Sequence, residues 1–128
     1  ALSPRTRVIG AEPRVVDDAA RSLRDGCIYP PTNAYTIADG LRTFLGDVNF
    51  PIIRERVNKI VTVSEEAIVA AMRLVWKRMK IIIEPSSATV LAVVGENPAL
   101  FRGKKVGLIL SGGNVDLRRL PWQEGVKA

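Results

Sequence analysis

The fold is decided by Val106-Gly-Leu-Ile-Leu-Ser-Gly-Gly-Asn-Val-Asp116, where an apolar run ends abruptly in a hydroxyl, two glycines and an amide. Residues 106–110 have the pattern of a buried strand, and Ser111 follows them directly. In an open α/β sheet, ligands bind beyond the carboxyl ends of the strands, so Ser111 is a candidate ligand contact. Gly112 and Gly113 let a bulky group approach the backbone, but a simple turn needs glycines as well. The local pattern leaves both interpretations open.

Segments typical of strands and of helices alternate along the chain. The predicted strands are 7–11, 59–63 and 106–110, and the predicted helices are 16–23, 37–44, 51–57, the segment after Ser64 and 84–94. Continuous apolar strands in such an alternation indicate a mostly parallel, open α/β sheet with helices on both faces. Three strands are few for such a sheet, and the chain starts without an initiator Met. We therefore expect it to be part of a larger domain.

Two of the predicted helices carry clear end signals. Ser64 is a hydroxyl N-cap followed by two glutamates, and one apolar face follows it. That face consists of Ile68, Ala71, Met72, Val75 and Met79. At the helix over 16–23, Asp17 and Asp18 are placed to accept the free amides at its start, and Gly26 follows its end.

Composition narrows the function classes. The 128 residues are 47% hydrophobic, which suits one globular domain with a core. The net charge is +6, but basic residues are scattered among acids and aromatic residues make up 5%, so we expect no nucleic-acid partner. No apolar run reaches the roughly 20 residues that cross a bilayer, so we expect no membrane partner. Cys27 stands alone and histidine is absent, which excludes an internal disulfide and favours a reducing, cytoplasmic setting.

Five motifs occur in order along the chain and carry a family resemblance. They are Glu12-Pro13 with Asp17-Asp18, Thr36-Ile-Ala-Asp-Gly40, residues 61–66, Ile83-Glu-Pro-Ser86, and Leu110-Ser-Gly-Gly-Asn-Val-Asp116. Together they resemble the carboxyl-terminal half of serine racemase and the threonine/serine dehydratases, which are pyridoxal-phosphate enzymes of the tryptophan synthase β-like fold. The resemblance implies that residues 1–128 form the carboxyl-terminal part of the large, cofactor-binding domain.

The resemblance also implies which parts this sequence lacks. Enzymes of the family carry the cofactor as a Schiff base on a lysine near the amino terminus and hold its phosphate in a glycine-rich loop. Neither segment has a match here, so we expect no catalytic residue in these 128 residues and no turnover by the chain alone. The implied partners are the missing amino-terminal half, a small amino-acid substrate and a second copy in a homodimer.

Four residues match cofactor contacts of the family. Ser111 matches the serine that hydrogen-bonds the pyridine nitrogen, with Gly112 beside it, and a neutral hydroxyl there makes the ring a milder electron sink than a carboxylate would. Gly40 matches a position where bare backbone faces the ring, although bending the entry to a helix also requires a glycine. Glu84 matches a glutamate near the ring, while its place before Pro85 also suits the dipole of a helix.

Three residues match a cation site that many enzymes of the family have. The carboxylates of Glu12 and Asp18 and the main-chain carbonyl of Val16 would supply oxygen ligands, which Mg²⁺ or Ca²⁺ prefers. The alternative is that Asp18 and its neighbour Asp17 simply cap a helix. The spacing of the residues leaves both possibilities open.

Lys80 and Asn114 match positions associated with nucleotide binding in the racemase branch. The other contacts of such a site would come from the missing sequence or from another subunit.

The implied activity is that of the whole enzyme. It is either an L-threonine or L-serine dehydratase, which releases a 2-oxo acid and ammonia, or a serine racemase. The alternative is a noncatalytic split or truncated chain that acts as a binding or assembly module through its uncovered sheet edge and apolar surface. The sequence alone does not decide between racemisation and elimination.

Overall fold

The computed structural model describes residues 3–32 and 35–123, so residues 1–2, 33–34 and 124–128 of the predicted domain lie outside the described residues. In chain order the strands and helices are β1 (Ile9–Pro13), α1 (Asp18–Asp25), α2 (Phe50–Arg56), β2 (Lys59–Val63), α3 (Glu65–Met79), α4 (Pro85–Glu96) and α5 (Pro98–Phe101). Strands β1 and β2 pair in parallel, with Ile9 beside Lys59 and Pro13 beside Val63. The predicted mixed α/β class with a parallel sheet is confirmed.

The core lies where α3 packs against α4 and α4 packs against the two strands. Its buried members are Val63, Ile68, Ala71, Met72, Val75, Ile83, Ala88, Ala92 and Val93. Burying a large aliphatic side chain of this kind contributes roughly 1.5–3 kcal/mol, so this cluster holds α3 on α4 and α4 on the sheet. Met79 does not join it and is 57% exposed, because it is the last residue of α3 and the chain turns at Lys80 with a φ of 60°.

The end signals read from the sequence are largely confirmed. The hydroxyl of Ser64 accepts a hydrogen bond from the Ala67 N–H, and Gly26 ends α1 with a φ of 75°. Prolines occupy the first turns of α2 and α4, where the missing N–H costs nothing. No helix among the described residues is long and apolar enough to span a membrane.

The helix predicted over 37–44 is wrong except for one 3₁₀ turn at Asp39–Leu41. Side chains of the segment form hydrogen bonds with its backbone groups instead. The Asp39 carboxylate accepts from the Gly40 N–H, and the Arg42 guanidinium donates to the Thr36 carbonyl. Such local bonds compete with a helical ladder, so the segment remains a loop.

The predicted central strand over 106–110 does not form within the described residues. The sheet of the described residues has two strands, β1 and β2, and no backbone hydrogen bond joins 106–110 to either. Ile109 is 79% exposed, and only Leu110 packs against the core cluster. A strand needs hydrogen bonds to a neighbouring backbone, and none of the backbone hydrogen bonds of the described residues involves 106–110.

Candidate cofactor site

The loop that follows residues 106–110 is attached to the amino-terminal end of α4. Glu84, the residue before that helix, donates its N–H to the Gly112 carbonyl at 3.0 Å. Its carboxylate accepts from the Asn114 N–H at 2.7 Å and packs so closely on Gly112 that a Cβ there would overlap it. Position 112 therefore needs a glycine because the Glu84 carboxylate packs against it, whether or not the loop also binds a ligand.

The loop that carries Gly40 meets the same end of α4. The Gly40 N–H donates to Ser86 Oγ at 3.1 Å, and a Cβ at Gly40 would lie 3.0 Å from that oxygen. The structure thus brings together Gly40, Glu84 and Gly112, three of the four residues predicted to contact the cofactor. Gly40 and Gly112 come from two loops 72 positions apart, and α4 is the element that joins them.

Ser111 lies beside these residues with an exposed side chain. None of the side-chain hydrogen bonds found in the described part of the chain involves its hydroxyl. A neutral hydroxyl next to bare glycine backbone fits a pyridine nitrogen, which needs one hydrogen-bond partner and a flat approach. The residues present therefore fit pyridoxal phosphate, and the cofactor contacts of Ser111, Gly112, Gly40 and Glu84 stay predictions.

The second predicted site lies at the start of α1. Glu12, near the end of β1, is almost completely buried, and its two carboxylate oxygens accept from the N–H groups of Ala19 at 2.9 Å and Ala20 at 2.8 Å. Burial raises the pKa of Glu12 to about 7, although these two backbone donors lower it. Two of the free amides at the start of α1 are therefore satisfied by a carboxylate of β1 and not by an adjacent side chain.

The interpretation of Asp17 and Asp18 as side-chain caps of α1 is wrong. Asp17 pairs with Arg21 at 2.8 Å, and neither aspartate accepts a capping hydrogen bond. Asp18 is 1% exposed and both of its carboxylate oxygens lack a hydrogen-bond partner. Burial raises the pKa of Asp18, because an apolar surrounding disfavours the charged carboxylate.

Those unpartnered oxygens fit a cation, because burying a polar group without a partner is costly. The described residues contain no cluster of three or more His, Cys, Asp or Glu side chains able to hold a metal. The predicted ligand set has two carboxylates and one carbonyl, and Val16, which would supply the carbonyl, is buried as they are. The assignment of Glu12, Val16 and Asp18 to a cation stays a prediction.

The predicted nucleotide residues lie on different structural features. Lys80 directly follows α3 and lines an open cavity of about 400 Å³ together with Arg73, Trp76, Lys77, Leu120 and Trp122. Asn114 is not one of these lining residues and is held by Glu84. The nucleotide assignment stays a prediction.

Comparison with known proteins places the chain in a family. The family model described as "Pyridoxal-phosphate dependent enzyme" matches residues 1–112. The chain belongs to this family. The matched range includes Gly40, Glu84, Ser111 and Gly112, whereas Asn114 lies beyond it.

Individual relatives agree with that result. The β-hydroxyaspartate dehydratase of Paracoccus denitrificans (strain Pd 1222) is 49% identical over 121 residues, which are 94% of this chain and 38% of that protein. Serine racemase of Dictyostelium discoideum is 51% identical over 120 residues, covering 91% of this chain and 37% of its own length. The crystal structure of the T.th. threonine deaminase matches with a TM-score of 0.84 at 50% identity, over 90% of this chain and 42% of that one.

These matches confirm the resemblance and the tryptophan synthase β-like fold. The chain spans about 38% of the length of the curated relatives it matches.

Sequence reasoning missed several residues that hold the site together. Ser86 belongs to a motif that was recognised, but nothing in the motif indicates that its hydroxyl meets Gly40. Glu65 looked like a helix-dipole residue, whereas its carboxylate bonds Thr36 and the Ile37 N–H. Both contacts join segments that are distant in sequence, and no local pattern identifies them.

Proposed function

We propose that this chain is the carboxyl-terminal part of a pyridoxal-phosphate enzyme that acts on an amino acid with a hydroxyl on its β-carbon. The substrate class is that of L-serine, L-threonine and 3-hydroxyaspartate, and the reaction is ammonia-lyase elimination or racemisation. The relatives named dehydratase, deaminase and racemase support this class. The observation that carries the proposal is the exposed Ser111 hydroxyl in a glycine loop that Glu84 anchors to α4.

Pyridoxal phosphate, when bound, withdraws electrons from the α-carbon of an amino acid. Ser111 would offer its ring nitrogen a neutral hydroxyl, which does not hold that nitrogen protonated as a carboxylate would. Gly40 and Gly112 would present bare backbone to the ring, and Glu84 would hold the loop that carries Ser111. We assign no proton-transfer role to a side chain of this chain, and the complete enzyme would supply that group from its other portion.

A cation at Glu12, Val16 and Asp18 would have a structural role in this enzyme. Mg²⁺ or Ca²⁺ would supply the partner that both Asp18 oxygens lack and would neutralise two buried carboxylates. The cation would then hold the end of β1 against the start of α1. It would not take part in the reaction.

The partners in this proposal are the remaining portion of the enzyme and, in the assembled protein, a second copy. Val106, Leu108 and Ile109 are at least one-third exposed, and their backbone groups lack strand partners in the described residues. An apolar run with unpaired backbone suits a strand that the rest of the enzyme completes.

The experiment compares Ser111→Ala with Ser3→Ala in the complete native polypeptide that carries this sequence. Ser3 is also exposed, and its hydroxyl bonds that of Thr6. Loss of a hydrogen bond to the ring should shift the visible absorbance of the bound cofactor and slow turnover by about tenfold or more, since such a bond is worth roughly 1.5 kcal/mol. Ser3→Ala should leave both unchanged.

Turnover is followed as ammonia and 2-oxo acid release from L-serine, L-threonine and L-threo-3-hydroxyaspartate, with D-serine formation as the racemase readout. L-Alanine, which has no β-hydroxyl to eliminate, is the control substrate. Unchanged spectrum, cofactor affinity and turnover in Ser111→Ala would overturn the role of Ser111. A native polypeptide that binds no pyridoxal phosphate would favour the noncatalytic binding module instead.

A further inference from the structure

We propose that Glu65 is a positioning residue that holds the loop over residues 36–40 against the amino-terminal end of α4. The inference rests on the proposed function, in which Gly40 of that loop faces the cofactor. Glu65 is the first residue of α3, and its two carboxylate oxygens bond two consecutive residues of the loop. One oxygen accepts from the Thr36 hydroxyl at 2.7 Å and the other from the Ile37 N–H at 2.8 Å.

Thr36 transmits this contact to the rest of the loop. It is fully buried, and besides donating to Glu65 its hydroxyl accepts from the Ala38 N–H at 3.2 Å. Its carbonyl accepts two hydrogen bonds from the Arg42 guanidinium, at 2.7 and 3.1 Å. Because Ala38 is also fully buried, the first half of the loop has little freedom once Glu65 is in place.

The second half of the loop reaches the cofactor site through α4. Gly40 donates its N–H to the Oγ of Ser86, which lies in the first turn of α4 close to Glu84, the anchor of the loop containing Gly112. Among the hydrogen bonds of the described residues, two involve Gly40: this one and the bond from its N–H to the Asp39 carboxylate. Glu65 therefore sets where the loop starts, and Ser86 sets where it meets the helix.

A dipole role alone does not account for Glu65. Glu65 and Glu66 both lie in the first turn of α3, where a negative charge interacts favourably with the helix dipole. Only Glu65 bonds the loop, whereas Glu66 is exposed and none of the side-chain hydrogen bonds found in the described residues involves it. The pair therefore separates a positioning role from a helix-stabilising one.

The experiment compares Glu65→Gln with Glu66→Gln in the complete native polypeptide. A glutamine replaces one of the two accepting oxygens with an NH2 group, which only donates, and removes the negative charge, so both bonds to the loop lose their charged acceptor. The first readout is amide hydrogen exchange without added cofactor, which needs no catalysis. Glu65→Gln should speed exchange at Ile37, Ala38 and Gly40 by about tenfold or more, while Glu66→Gln leaves it unchanged.

The second readout is the equilibrium dissociation constant for pyridoxal phosphate. Glu65→Gln should weaken binding by about tenfold, because a loop that must be ordered on binding reduces affinity. Thr36→Val should have the same effect and Thr36→Ser should restore near-normal binding, since serine keeps the hydroxyl. The double variant with Glu65→Gln and Thr36→Val should be no worse than the more severe single variant, because both remove one interaction.

The outcomes separate this inference from the proposed function. If the unaltered polypeptide binds pyridoxal phosphate and Glu65→Gln binds it equally well with unchanged exchange, the positioning role is wrong while the proposed function stands. If the unaltered polypeptide does not bind the cofactor, the proposed function fails and the cofactor role of Glu65 fails with it. Equal changes in Glu65→Gln and Glu66→Gln would assign the effect to the helix dipole and overturn the inference.

Discussion

Glu84 Oε2 accepts a hydrogen bond of 2.7 Å from the Asn114 N–H, across 30 positions of sequence. This bond joins the residue before α4 to the loop that carries Ser111, while the adjacent Gly112 leaves room for the carboxylate. The position of the Ser111 loop therefore depends on the Glu84 carboxylate and on the absence of a side chain at Gly112.

Gly112→Ala should loosen that loop. The new methyl group would overlap the Glu84 carboxylate, which can move aside only by giving up its bond to Asn114. A hydrogen bond to a charged acceptor is worth roughly 1.5–3 kcal/mol, so pyridoxal phosphate should bind about tenfold more weakly or worse. The measurement is cofactor titration in the complete native polypeptide.

Gly46→Ala is the matched control for that change. Nothing lies within 4 Å of a Cβ at Gly46, so its methyl group meets open space. Equal cofactor affinity in the two alanine variants would contradict the anchoring role of Glu84.

Magnesium or calcium should raise the melting temperature, and Asp18 should be the residue responsible. A ligand at a hundred times its dissociation constant stabilises the folded state by about 2.7 kcal/mol. Asp18→Asn removes a carboxylate ligand and should abolish the gain, whereas Asp17→Asn should keep it because Asp17 pairs with Arg21 instead. Melting curves with chelator, Mg²⁺ and Ca²⁺ test this, and an equal gain in Asp18→Asn would place any cation elsewhere.

Stability without cations should fall as the pH rises from about 4.5 to 7. Burial raises the pKa of Glu12 from 4.5 to about 7 and raises that of Asp18 as well, so the folded state keeps protons that the unfolded state has lost. Each tenfold difference in proton affinity between the two states corresponds to at most about 1.4 kcal/mol, and the loss should level off above the folded pKa. Urea unfolding at a series of pH values measures it.

A bound cation should reverse this trend, because it favours the ionised carboxylates. The stabilisation by Mg²⁺ or Ca²⁺ should therefore be larger at pH 8 than at pH 5. The control is the variant Glu12→Gln, whose stability should depend less on pH. If the stability of the unaltered protein is as independent of pH as that of the variant, Glu12 does not titrate in this range.

The amides of residues 107–110 should be protected from hydrogen exchange in the complete native polypeptide. In the described residues these amides have no backbone partner, and the side chain of Ile109 is 79% exposed. A strand from the remaining portion of the enzyme would pair with them and slow exchange by orders of magnitude. The amides of the exposed loop residues Asp47 and Val48 provide a reference, and equally fast exchange in both segments would argue against a completed sheet.

The sequence by itself determined the features that depend on neighbouring residues. The Ser64 cap, the Gly26 stop and the proline at the start of α4 lie within a few positions of the groups they serve, so propensity and spacing predict them. The order of five motifs was also sufficient to identify the family. What these signals share is that their physical cause is local or is carried by the order of residues alone.

Only the tertiary structure decided which groups meet across the chain. The amides at the start of α1 bond Glu12 of β1 and not the adjacent aspartates, and Gly40 and Gly112 meet the same end of α4 through Ser86 and Glu84. The apolar residues 106–110 have the composition of a strand, but pairing requires a second backbone that composition does not supply. Long-range hydrogen bonds depend on where whole elements pack, and that placement is a property of the folded core.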